Sequence, residues 1–73
     1  MRGDLRTLLN EVNKLEHRAL EAWRKAKDLR ERARDDEDLY EDLDSVTSRL
    51  EAAWKMLAEA AELLEDALTR LEA

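Results

Sequence analysis

Apolar residues repeat every seven positions along almost the whole chain. Leu5, Val12, Ala19, Ala26 and Ala33 form one row, and Leu8, Leu15, Ala22 and Leu29 form a second row three residues further on. In the second half, Leu43, Leu50, Leu57, Leu64 and Leu71 form a row beside Leu39, Val46, Ala53, Ala60 and Ala67. This spacing gathers side chains on one face of a helix, whereas a strand needs alternation by two. One Gly and no Pro or Cys interrupt it. The pattern predicts an all-α chain with coiled-coil-like a/d packing, and it speaks to what the chain builds rather than to a chemistry.

Length sets the next constraint. A single domain of 73 residues has a core that supplies only about 3–5 kcal/mol of net stability. Without cysteine there is no disulfide, and one histidine offers no structural metal site, which leaves idealised helix packing or oligomerisation as the stabilising device. Ala, Leu, Glu and Arg dominate, all good helix formers. The charged fraction, 44%, suggests disorder as the bland alternative, against which the regularity of the rows argues. Met1, Arg2, Gly3 and Asp4 do not begin a secretory leader, and no stretch approaches the roughly eighteen apolar residues of a membrane span. A soluble protein is expected, cytoplasmic if expressed in a cell.

Charge locates the turn better than hydrophobicity does. The a/d phase runs unbroken through Asp36, Tyr40, Leu43, Thr47, Leu50 and Trp54, which by itself permits one very long helix. Yet Lys25, Lys27, Arg30, Arg32 and Arg34 give way to Asp35, Asp36, Glu37 and Asp38. Cations suit a helix C-terminus and carboxylates an N-terminus, so the switch predicts one helix ending and another beginning. Asp36 would be a buried carboxylate in the unbroken helix but an N-cap in a hairpin. The expected domain, 1–73, is therefore a helical hairpin: a helix over about 4–34, a turn near 34–36 and a helix over about 36–71. No Gly supplies the usual left-handed stop. Three shorter helices are the alternative, because Asp44, Ser45, Thr47 and Ser48 are N-cap types, Ser48 with Glu51 fits a capping box, and Asp28 with Glu31 does so more weakly.

The halves also differ in charge. Up to Arg34 there are ten basic and six acidic residues, hence +4; from Asp35 onward three basic face thirteen acidic, hence −10, together the −6 of the whole chain. Arrangements that alternate first and second helices are favoured, since two acidic helices side by side repel. Each apolar face is wider than an isolated pair of helices needs. Leu9, Leu20 and Trp23 flank the first seam; Tyr40, Trp54, Ala61 and Leu68 flank one side of the second, with Met56 and Leu63 on the other. Faces this broad fit helices that touch two neighbours, and the seam alanines allow close approach. The expected partner is a second copy, giving a homodimeric four-helix bundle. The nominated association residues are Leu8, Leu9, Leu15, Ala22, Trp23, Leu29, Leu43, Leu50, Trp54, Leu57, Leu64 and Leu68.

With its Ala and Leu rows and its acidic turn at Asp35 and Asp36, the chain resembles the repressor-of-primer (Rop) family, helical hairpins that dimerise into antiparallel four-helix bundles. That family binds paired RNA loops through its first helices, but no motif here carries those residues over. The chain also resembles de novo designed bundles in its dense Leu/Ala layers, scarce Gly and Pro, segregated charge and lack of a recognisable site, which implies a designed protein without natural activity.

Candidate chemistry is thin. His17 with Glu21 one turn later gives one imidazole and one carboxylate, too few for a metal. Lys14 stands where a Glu-x-x-His motif needs Glu, and Arg18 stands where His-Glu-x-x-His needs one. Arg2, Gly3 and Asp4 spell an integrin-ligand tripeptide at a terminus expected to fray, where Asp4 reads better as an N-cap. Trp23 and Trp54 adjoin Ala22 and Ala53 and read as space-filling rings, or as an aromatic pocket for an apolar ligand. Asp35 to Asp38 lack the spacing and Gly of a calcium loop. Thr7, Ser45, Thr47, Ser48 and Thr69 lie far from the only histidine, so nucleophilic catalysis has no support. The expectation is no enzyme, no catalytic residue, no cofactor and no metal. Arg18, Lys25 and Arg32 could track phosphates, but the neighbouring acidic helix weakens that field, and anionic membranes would repel the chain. The functional alternative to self-assembly is a binding module, using the basic first helix for RNA or an apolar groove for a partner helix.

Overall fold

The computed structural model describes residues 1–72, which form two helices, α1 (Arg2–Arg32) and α2 (Glu37–Glu72). Among the described residues there are no strands. The helices double back antiparallel along their full length: Arg6 meets Glu72 at one end, Trp23 meets Trp54 midway, and Arg30 meets Asp44 near the turn. The Cα trace extends 56 × 13 × 12 Å, one helix pair in thickness.

The turn falls where the charge changes sign. Ala33 ends α1, its N–H donating to the carbonyls of Leu29 and Arg30, both at 3.1 Å. The Asp36 N–H then donates to the Ala33 carbonyl at 3.0 Å, so a tight turn closes with no residue at positive φ. That is how the chain dispenses with a C-terminal Gly. Asp36 caps α2, its Oδ1 accepting from the Leu39 N–H at 3.2 Å, and Glu37 and Asp38 place carboxylates against the positive end of the dipole. Arg30 and Arg32 occupy the negative end of α1.

Local details differ at the helix ends. Arg34 lies in the turn, as the expected span of 34–36 had it, and α1 stops at Arg32, two residues before the expected end. At the other end α1 begins at Arg2, so Asp4 is inside the first turn rather than its N-cap, and Met1 occupies the cap without a side-chain bond. The alternative breaks do not occur: α1 is continuous through Asp28 and Glu31, and α2 through Asp44 to Ser48. Thr47, a cap candidate by composition, instead donates its hydroxyl to the Leu43 carbonyl at 2.7 Å and is 3% exposed. That back-bond lets a hydroxyl sit inside a helix without breaking it.

The seam between the helices shares one row with the sequence-based expectation and departs from it in the other. On α1 the row of Leu5, Val12, Ala19, Ala26 and Ala33 faces α2, joined by the row four residues on: Leu9, Glu16, Trp23 and Arg30. Every member of both is buried or half-buried. On α2 the facing rows are Leu43, Leu50, Leu57 and Leu64, and Tyr40, Thr47, Trp54, Ala61 and Leu68. The tightest burial is at Ala26, Thr47, Ala61 and Leu68, and no side chain is sealed completely. A seam that includes Glu16 and Arg30 while leaving leucines outside is a thin core for a free-standing protein.

Candidate association interface

The rows left out of the seam define a face. At 3.5 residues per turn each residue advances about 103°, which places Leu8, Leu15, Ala22 and Leu29 roughly 75° to one side of the line joining the helices. Leu39, Val46, Ala53, Ala60 and Ala67 lie about 75° from it in the same sense on α2. Because the helices run antiparallel, equal rotations in the same sense point to the same broad side of the hairpin. The cross-helix register then sets Leu8 beside Ala67, Leu15 beside Ala60, Ala22 beside Ala53 and Leu29 beside Val46. Leu8, Leu15, Leu29, Leu39 and Val46 remain 45–49% exposed. Met56 and Leu63, 67% and 69% exposed, extend the patch over the outer edge of α2. Aliphatic surface this continuous is far from the scattered single residues normal on a monomer.

The opposite face is built mainly from charge, around half-buried Leu20 and Ala58. Arg6 Nη2 meets Glu72 Oε1 at 2.6 Å, and Arg30 Nη1 donates to Asp44 Oδ1 at 2.9 Å. Lys55 pairs with Glu51 at 2.8 Å. The hydrogen bond from Lys55 holds the Glu51 carboxyl below its ordinary pKa, the charge of Lys55 adds to this, partial desolvation opposes it, and Lys27 across the hairpin contributes last. The Arg30 pKa is raised above its usual value, chiefly by the hydrogen bond to Asp44. An open groove on this side, near the start of α1, is lined by Arg6, Asn10, Glu65, Thr69 and Glu72 over Leu9 and Leu68.

The two tryptophans belong to the seam and lean toward the charged face. Their ring centroids are 5.9 Å apart at an interplanar angle of 51°, and the Lys27 ammonium lies 4.3 Å from the centre of the Trp23 ring. Both indole N–H groups and Arg30 Nε are buried without an acceptor. The rings thus pack against each other across the seam with their donors unmet, which limits how tightly the seam holds.

The nominated association residues divide accordingly. Leu9, Trp23, Leu43, Leu50, Trp54, Leu57, Leu64 and Leu68 lie along the contact between α1 and α2 of the same chain, whereas Leu8, Leu15, Ala22 and Leu29 lie on the free apolar face. Missing from that set were Leu39, Val46, Ala53, Ala60 and Ala67, the α2 half of the face. Their seven-residue spacing was visible, but their orientation depended on which neighbouring row α2 turned toward α1.

The remaining candidates are placed simply. His17 is on the outer surface, its Nε2 3.0 Å from Glu21 Oε1, and among the described residues no three His, Asp or Glu side chains gather as a metal site requires. Arg2, Gly3 and Asp4 are helical, with Thr7 Oγ1 donating to the Gly3 carbonyl at 3.0 Å, so they form no recognition loop. No helix among the described residues is long and apolar enough to cross a membrane. Comparison with known proteins gives no match: no family model fits the chain, and neither a curated protein nor a solved structure matches it.

Proposed function

We propose that the chain is a structural self-association module whose working form is a homodimer, two hairpins stacked through their apolar faces into a four-helix bundle, with no catalysis of its own. The observation that carries this reading is the direction of the a/d seam. In a two-helix pair the cleanest apolar rows point along the line between the helices. Here the rows led by Leu5 and Leu8, and those led by Leu39 and Leu43, centre about 50° off that line, close to the diagonal of a square of four helices. The extra direction has room for another hairpin. A strip 56 Å long and about two helix diameters wide amounts to roughly 1,000 Å² per copy, the size of a stable interface.

Sedimentation equilibrium across micromolar concentrations tests the proposal, with a mass near twice the 8.5 kDa of one chain expected. A stable, well-ordered monomer throughout that range would overturn it and favour docking of a foreign helix on the same face.

A further inference from the structure

Resting on the dimer reading above, we infer that the two hairpins associate with their turns at the same end, so that α1 of each copy faces α2 of the other. A face-to-face pair of hairpins has two symmetric choices. In the turn-to-turn dimer the two-fold axis runs along the helices. In the other it runs across them, setting α1 on α1 and α2 on α2 with the turns at opposite ends. Side-chain size along the apolar face and the net charge of each helix separate them.

Size comes first. Turn-to-turn stacking keeps each level of the hairpin with itself, so Leu8 meets the partner's Ala67, Leu15 meets the partner's Ala60 and Leu29 meets the partner's Val46. Each leucine meets a smaller side chain, which favours close packing, and only the Ala22 level sets alanine on the partner's alanine, Ala53. In the reverse orientation, with the hairpins fully overlapped, Leu8 meets the partner's Leu29, while Ala53 meets the partner's Ala60 and Val46 the partner's Ala67. One side of the bundle is propped open by leucines and the other drawn together over alanines.

Charge pairs at the rim form in either orientation. Outside the apolar rows α1 carries Asp4, Glu11, Arg18, Lys25 and Arg32, and α2 carries Asp42, Arg49, Met56, Leu63 and Arg70. Turn-to-turn, Asp4 lies across from the partner's Arg70 and Arg32 from the partner's Asp42, with Lys25 opposite the partner's Arg49 as the one like pair. The stems of Glu11 and Arg18 cover the partner's Leu63 and Met56, the two most exposed members of the patch. Reversed with full overlap, Asp4 faces the partner's Arg32, Glu11 the partner's Lys25 and Asp42 the partner's Arg70, with Arg18 on the partner's Arg18 as the one like pair. Finally, the surplus of +4 before Asp35 and of −10 after it alternates around the turn-to-turn bundle, whereas the reverse arrangement sets acidic helix against acidic helix.

The chain has no cysteine, so Asp35→Cys in the exposed turn gives one spin label per copy in the full-length protein. Dipolar distances and sedimentation mass are measured on the same sample. A dimer mass with a label separation of about 20–30 Å, the width of a four-helix bundle plus two label arms, supports the turn-to-turn dimer. A dimer mass with a separation near the 56 Å length of the hairpin overturns the orientation and leaves the dimer standing. A monomer mass overturns both. His17→Cys, midway along α1 on the outer surface, stays near 20–30 Å in either orientation and serves as the control, whereas Arg34→Cys, a second site should the Asp35 label disturb folding, gives that short distance only when the turns share an end.

Discussion

The two broad faces of the hairpin are made by the same two helices, yet one is closed by its own side chains and the other is not. On the charged face, Arg6 with Glu72 and Arg30 with Asp44 reach across the seam and satisfy one another within the chain. On the apolar face, Leu8, Leu15, Leu29, Leu39 and Val46 reach nothing across it that removes them from water. Salt links of this exposed kind contribute little, typically under about 1 kcal/mol each, whereas burying a leucine is worth roughly 1.5–3 kcal/mol. The stronger driving force therefore resides on the face that one hairpin cannot cover. In the proposed dimer, charge closes the outside of each hairpin and hydrophobic area supplies the association.

The largest expected effect tests that asymmetry directly. Leu15→Lys combined with Leu29→Lys places two ammonium groups in the proposed contact of each copy, and sedimentation should show the dissociation constant raised at least about 100-fold, from the loss of two leucine burials per copy. The comparison variant, Arg6→Ala with Lys27→Ala on the charged face, should leave the mass of the assembly unchanged. Equal responses from the two faces would erase the distinction between them.

A smaller effect belongs to the seam that both faces share. Trp23→Ala removes one ring of the tilted pair and its contact with Lys27. Full burial would make this cost about 3–5 kcal/mol, and half-burial reduces it to about 2 kcal/mol. Denaturant unfolding followed by far-ultraviolet circular dichroism measures the change. The oligomeric mass at high concentration should persist, because Trp23 leans away from the apolar face. Loss of the dimer without loss of hairpin stability would place the ring in the wrong layer.

Much of this architecture could be read from the residue order, for identifiable physical reasons. The reversal from Arg34 to Asp35 located the turn because dipole complementarity and N-capping act within one helical turn, and Asp36 does cap α2. Heptad spacing identified the apolar rows because angular position around a helix follows from arithmetic alone. It left open which adjacent row turns inward, since Leu8 and Leu9 lie on either side of the Leu5 row and both are leucine. That choice rests on tertiary contacts: the Trp23 and Trp54 rings and the Arg30 to Asp44 bond pull the row led by Leu9 into the seam and leave the row led by Leu8 outside. Composition likewise overvalued Asp4 and Ser48 as caps. The helix gains more by continuing through them, because Met1 and Asp36 already end the only segments that stop.

The smallest expected effect probes the charged face by acid. Glu51 accepts a hydrogen bond from Lys55 at 2.8 Å, which lowers its folded pKa, so the folded state binds its proton less readily than the unfolded chain. Its contribution to stability is complete above the unfolded carboxylate value, about 4.3, and disappears as pH falls through the lower folded value. Glu51→Gln should therefore reduce the melting temperature at pH 7 by under about 2 °C, as suits an exposed pair, and the difference from the parent should shrink as pH is lowered from 7 toward about 3 and the folded carboxyl takes up its proton. The Leu15 and Leu29 variant should show its association defect at both pH values, since no titrating group creates the apolar contact. A Glu51 effect that grew on acidification, or an apolar-face defect that vanished with it, would mean that charge and hydrophobic area had been assigned to the wrong faces.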